Sequence, residues 1–165
     1  MTEPREPTDT VHRYRAAVEW QGTTGVGYER FSRDHEGRAA PARQPLALSG
    51  DPAFGGNAEL LDPEQLVVLA AASCQLLSFL AVAARARIDV VGYVDDAVGT
   101  MPERGSKSTS IETIVLRPTI EVRGHPPVER VERLVDLAHQ ECYVANSLHT
   151  TITVEPTIVF AGNGD

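Results

Sequence analysis

The sequence predicts an α+β fold with antiparallel sheets around one long apolar helix. Three observations carry this expectation. An apolar run from Leu66 to Ala84 is too long for a strand, β-branched segments with short alternations flank it on both sides, and a second helical pattern follows late in the chain. The resulting order of strands, helix, strands, helix, strand differs from the regular strand-and-helix alternation of a doubly wound parallel sheet.

A chain of 165 residues, 42% of them hydrophobic, suffices for a single domain with its own core, placed at residues 11–162 after a polar start at 1–10 read as disordered. The net charge of -8 argues against a nucleic-acid surface, which draws its affinity from clustered Lys and Arg. "MTEPREPTDT" has acids and no apolar h-region, so it reads as neither a signal nor a transit peptide, and a cytoplasmic protein is expected. Ser73, Cys74, Gln75 and Ser78 interrupt the apolar run, which favours a buried core helix over a membrane span.

Taken in order, "VHRYRAAVEW" alternates, with Tyr14, Ala16, Val18 and Trp20 on one face, and predicts a half-buried strand. "QGTTGVG" supplies turn chemistry, and "YERFSRDH" would return as the second arm of a hairpin. Residues 36–61 read as loops around one brief strand at "PLALSG". "LDPEQL" opens the central helix, with Asp62 as N-cap, Pro63 at the first helical position and Glu64 favourable against the N-terminal dipole. From there to about Ala86 the helix is apolar around most of its circumference, so it needs cover on several sides, more than one chain of this size readily supplies. "VVGYVDDAVGTM" and "SIETIVLRPTIEV", separated by "PERGSKST", make a second hairpin, with Pro118 implying an edge or a bulge. "HPPVERVERLVDLAHQE" is an amphipathic helix with Val128, Val131, Leu134, Val135 and Ala138 on its apolar face, and "HTTITVEPTIVFA" is the closing strand.

The chain has two cysteines, Cys74 within the central helix and Cys142 at the end of the second. Each is either a small buried hydrophobe or a reactive thiol. As a nucleophile Cys74 needs help, because ten residues into a helix it lies far from the N-terminal dipole that would favour its thiolate. If the two helices pack together, Cys142 is a candidate resolving thiol. A metal site would have to combine the cysteines with His139 or His149, and no ligand pairs at short fixed spacing support it.

"LDPEQLVVLAAASC" resembles the central helix of the osmotically inducible protein C and organic hydroperoxide resistance (OsmC/Ohr) superfamily, which opens with a similar Pro-Glu triplet and carries a cysteine ten positions after the Glu. "CYVANSL" resembles the second cysteine segment with its downstream Asn and Ser, so that Cys142, Asn146 and Ser147 match. The resemblance spans roughly residues 11–160. It implies an intertwined homodimer with the central helices buried between two sheets and the sites at the subunit interface. It also implies thiol peroxidase chemistry: Cys74 as the nucleophile, Cys142 as the resolving thiol, a small organic hydroperoxide as substrate, and an external dithiol reductant with no cofactor or metal. Glu64 matches the family carboxylate. Ten helical residues rise about 15 Å, so Glu64 meets Cys74 only if the helix breaks or the other subunit supplies it. The family arginine is missing from "GDPAFGGNAELLDPE", where Gly55 stands in its place, and from "QGTTGVG"; the nearest substitutes are Arg30 and Arg33, and Arg33 is preferred. That departure keeps two other functions in view. One is a redox-sensing or hydrophobic-ligand-binding protein with weak or no peroxidase activity. The other is a thiol-dependent acyl hydrolase, for which no histidine lies near Cys74 in sequence.

Overall fold

Helix α1 runs without a break from Pro63 to Arg85, starting at the proline, whose missing N–H leaves no bond unmade. Its buried stripe of Ala71, Gln75, Phe79, Val82 and Ala83 follows the three- and four-residue spacing of one helical face. Leu69 and Leu77 on other faces remain 56% and 64% exposed, so the chain alone covers α1 on one side rather than all round. The helix is also long and apolar enough to span a bilayer, a test that the core helix of a soluble protein meets as well.

The computed structural model describes residues 11–103 and 109–162. The start expected to be disordered, 1–10, and most of "PERGSKST" lie outside the described residues. The chain divides into two compact units, residues 1–63 and 64–165.

In the first unit, β1 (Ala17–Glu19), β2 (His35–Arg38) and β3 (Leu46–Leu48) form an antiparallel sheet with Val18 opposite Gly37 and Glu36 opposite Ala47. The brief strand expected at "PLALSG" is β3. Strand β1 is shorter than "VHRYRAAVEW" suggested and is exposed throughout, because among the described residues of this unit no second layer covers its apolar face. The arm that pairs back antiparallel on β1 is β2, displaced so that it takes only His35 from "YERFSRDH". A 3-10 turn at Thr24–Val26 and the bonds from the Arg30 and Phe31 N–H groups to the Gly27 carbonyl curl the chain before it. Phe31 then packs edge-on against both Trp20 and Tyr28, at 6.4 and 6.1 Å between centroids.

The second unit holds α1 and the bent hairpin. Each arm is broken in two: β4 (Val90–Asp95) and β5 (Val98–Thr100), then β6 (Thr113–Leu116) and β7 (Pro118–Val122). Strand β4 pairs with β7 and β5 with β6, both antiparallel, so the arms pass from one three-stranded sheet into another. At the crossing the Arg117 N–H donates to Asp95 Oδ1 at 2.7 Å. Pro118 begins β7, a central strand in the order β4-β7-β9, so it marks a strand start rather than an edge. The bulge in this pair lies at Val90 and Gly92.

Helix α2 (Val128–Gln140) buries Val131, Val135 and Ala138 as its periodicity requires and leaves Val128 at the margin. The closing segment divides at Glu155 and Pro156 into β8 (Thr151–Val154) and β9 (Thr157–Phe160). These lie parallel to β6 and β7, which corrects the purely antiparallel expectation. The reason is the crossover through α2, which returns the chain to the end where β6 and β7 began. Phe79, Val82, Ile120, Val122, Val131 and Val135 form the core between α1, α2 and the β4-β7-β9 sheet. A second cluster of Ala71, Ile114 and Leu116 lies under the start of α1. There Gly99 admits the helix, since a Cβ on it would fall 2.5 Å from Val68 Cγ2.

Candidate active site

Cys74 lies midway along α1, one position before the buried Gln75, and is half-buried. Gln75 donates its Nε2 to the Val135 carbonyl of α2 at 3.2 Å, which seats this part of α1 against the second helix. Arg85 in the last turn of α1 meets Glu141, the C-cap of α2, at 2.7 Å. Two contacts therefore tie α1 to α2 and its C-cap, one beginning next to Cys74 and the other ending next to Cys142.

At that end the chain turns sharply. The Cys142 N–H bonds the His139 carbonyl, the Asn146 N–H bonds the Cys142 carbonyl at 3.0 Å, and a 3-10 turn follows at Ala145–Ser147. Two side chains clasp the turn: Asn146 Nδ2 donates to the Gln140 carbonyl at 2.9 Å, and Ser147 Oγ to the Tyr143 carbonyl at 2.7 Å. Asn146 and Ser147 thus hold the turn that carries Cys142, and Asn146 also lines the groove beside Cys74. Cys142 itself is 1% exposed, its sulfur accepts the Ala145 N–H at 3.5 Å, and its thiol neighbours that of Cys74. Burial, and then the bond to the Cys74 sulfur, push the Cys142 thiol up to about 11.

Beside Cys74 opens a groove of about 810 Å³. Ala70, Leu77, Ala81 and Val144 make it largely apolar, Tyr143 stands exposed on its wall, and the Arg85–Glu141 pair lies farther along α1. Such a cleft suits a small apolar molecule carrying one reactive polar group. Among the described residues no group of three or more His, Cys, Asp and Glu side chains could hold a metal ion.

A family model described as OsmC-like protein matches residues 56–157, which include both cysteines. The chain belongs to the OsmC-like family. An OsmC-like protein of unknown function from Vibrio cholerae is 29% identical with a TM-score of 0.80, the match covering 88% of this chain and 99% of that one. An organic hydroperoxide resistance protein OsmC from Legionella pneumophila (17% identity, TM-score 0.64, 91% and 98% covered) has the same fold. So does an organic hydroperoxide resistance protein from Elizabethkingia anophelis (17%, 0.66, 93% and 100%). Among curated proteins nothing matches.

Two other site residues are expected of this OsmC-like chain, Glu64 and Arg33. Glu64 occupies the first turn of α1, and because the helix is unbroken it stays about 15 Å along the axis from Cys74 of the same chain. Arg33 belongs to the first unit. Its Nη1 donates to the Phe31 carbonyl and its Nη2 to the Tyr28 carbonyl, both at 3.0 Å, and its guanidinium lies over the Phe31 and Tyr28 rings at 4.2 and 4.9 Å. Gly55 makes room for it: a Cβ there would sit 2.9 Å from Arg33 Cζ, and the φ of +79° is left-handed. Sequence reasoning passed over Gln75, Arg85 and Glu141. A glutamine within an otherwise apolar helical stripe was the available signal for the first, whereas the ion pair needed the packing of two distant helices.

Proposed function

We propose that this OsmC-like protein is a thiol-dependent peroxidase that reduces small organic hydroperoxides, acting as a cytoplasmic homodimer reset by a dithiol reductant. The observation that carries the reading is Cys74 on the wall of a mostly apolar groove, with the buried Cys142 thiol beside it. The Cys74 thiolate attacks the terminal peroxide oxygen, the O–O bond breaks, and the alkoxide leaves as an alcohol once protonated. Cys142 then attacks the sulfur of the Cys74 sulfenic acid, forming a disulfide and releasing water. An external dithiol restores both thiols by exchange.

In this reading both compact units form one domain, and the exposed apolar face of α1 is covered by the second subunit, which also brings its own Glu64 toward Cys74. Arg33 takes the role of the missing family arginine. Its support is the pairing with Gly55: the glycine standing where relatives carry an arginine is the one whose missing side chain leaves space for the Arg33 guanidinium. The names of the Legionella and Elizabethkingia proteins lend support to the substrate class.

The test follows free thiols and peroxide together while the reduced protein is titrated with cumene hydroperoxide. The expected result is rapid loss of both thiols per chain, an inert Cys74→Ser, and a Cys142→Ser that stops with Cys74 oxidised. Turnover retained in Cys74→Ser would reject the mechanism. The alternative of a redox-sensing or hydrophobic-ligand-binding protein draws on one observation: the cation lining the groove, Arg85, is committed to Glu141. Ligand retention without peroxide consumption would decide for it.

A further inference from the structure

The peroxidase reading gives work to both sulfurs but not to the hydroxyl of Ser78, which is half-buried and lines the same groove as Cys74. Four residues apart on an unbroken helix, the two side chains lie about 40° from one another round the axis and one turn apart along it. Their Cβ atoms are therefore about 5–6 Å apart on one line of α1. Helical side chains lean toward the N-terminus, which tips Ser78 back over the turn that carries Cys74.

The Ser78 hydroxyl is also uncommitted. A serine hydroxyl on helical backbone readily bonds the carbonyl four residues back, as Ser147 does with Tyr143 at 2.7 Å. For Ser78 that carbonyl belongs to Cys74, and among the described residues Ser78 Oγ bonds neither it nor any other group. Other polar side chains of the wall are spent or stand apart. Asn146 Nδ2 donates to the Gln140 carbonyl at 2.9 Å, and Tyr143 is 82% exposed. Arg85 is paired with Glu141 at 2.7 Å and lies about 16 Å along α1 from Cys74. Ser73 lines the groove too, but it is exposed and about 100° round the helix from Cys74.

We infer that Ser78 is a catalytic residue of the peroxide step: its hydroxyl donates a hydrogen bond to the leaving oxygen of the hydroperoxide. The inference rests on the peroxidase reading. A hydroperoxide laid along the groove presents its terminal oxygen to the Cys74 sulfur and its alkyl-bearing oxygen to the next turn, where a hydroxyl bonds at about 2.7 Å. The organic group then lies over Leu77 and Ala81. When the thiolate attacks, an electron pair from sulfur forms the S–O bond, the O–O bond breaks, and its pair passes to the alkyl-bearing oxygen. Sulfur is oxidised, the peroxide is reduced, and the negative charge moves from sulfur to that oxygen. An alkoxide is a strong base that an apolar wall does not stabilise, so a donor already aimed where the charge arrives lowers the barrier. The alkoxide then takes a proton from water, which leaves the alcohol, hydroxide and a sulfenic acid on Cys74; Ser78 keeps its own proton.

The experiment compares reduced wild type with Ser78→Ala as full chains, checked for fold by circular dichroism, and follows loss of the Cys74 thiol located by peptide mass. Four reagents are used: cumene and tert-butyl hydroperoxides, which expel an alkoxide; perbenzoic acid, which expels a carboxylate that needs no donor; and iodoacetamide, which expels iodide. Losing one hydrogen bond to a developing charge should slow Ser78→Ala about 10- to 100-fold with the two alkyl hydroperoxides. With perbenzoic acid and iodoacetamide the two proteins should react alike. Equal rates with the alkyl hydroperoxides would overturn the role of Ser78 and leave the peroxidase reading standing. So would the same slowing with all four reagents, the mark of an altered thiol or a packing defect, or slowing with perbenzoic acid as large as with the alkyl hydroperoxides. A wild type that iodoacetamide alkylates while both alkyl hydroperoxides stay intact would end the peroxidase reading, and the role of Ser78 with it.

Discussion

Cys142 links burial, chemistry and stability in one side chain. Its thiol is pushed up to about 11 in the folded reduced protein, against about 8.5 for an exposed cysteine. The folded state therefore keeps a proton that the unfolded chain releases, and stability is lost as pH climbs between those two values. Urea titrations of the reduced protein should show that decline, and Cys142→Ala, which has nothing to ionise there, should make it shallower, leaving at higher pH the part due to the Tyr93 phenol, whose titration burial also raises. Gly55 offers a second residue-level measurement. At φ +79° and against the Arg33 guanidinium, Gly55→Ala should cost about 1–2 kcal/mol. Truncating Arg33 to Ala in the same chain should recover the steric part, leaving the cost of the left-handed backbone. Cys74 and Cys142 were legible as a candidate pair because both lie in recognisable segments. The hold on Cys142 was not, since its bonds run through backbone carbonyls, which every residue possesses.

At the scale of elements, α1 and α2 differ in how plainly the sequence describes them. The charges of α2 mark its outer face, and Val131, Val135 and Ala138 are buried as its spacing requires. Helix α1 is apolar nearly throughout, so periodicity finds the element but not the face that meets the sheet; packing chose the stripe through Ala71, Gln75 and Phe79. Phe79, fully buried beside Tyr93 at 6.0 Å between ring centroids, anchors that face. Phe79→Ala should destabilise the protein by about 3–5 kcal/mol in denaturant unfolding. Glu141→Gln breaks an ion pair whose partners are 64% and 46% exposed, and should change stability by less than about 1 kcal/mol. The strands were harder to read. "VVGYVDDAVGTM" and "SIETIVLRPTIEV" were visible as hairpin arms, but alternation does not encode their division between two sheets, where the Arg117 N–H bonds Asp95 across the two arms.

For the whole molecule the question is what covers α1. Leu69, Leu77 and Leu80 are exposed on a helix whose opposite face is packed into the core. The proposed homodimer would bury them. Light scattering should then report twice the chain mass, and Leu69→Asp, which lies outside the groove, should shift the protein toward monomer and lower peroxide turnover by separating Glu64 from the neighbouring Cys74. A monomeric wild type with full activity would reject the shared site.

The sequence by itself determined the α+β class, the two helices and their limits, the brief strand at "PLALSG" and the two cysteines of interest, because apolar periodicity, caps and rare residue types are local properties. Tertiary structure decided the rest: the parallel entry of β8 and β9, the curl that displaced the arm expected at "YERFSRDH", the register of α1 on α2, and the meeting of Cys74 with Cys142 across 68 positions of chain. Each of these depends on which distant surfaces exclude water together, and burial is a property of pairs of segments that no single segment carries.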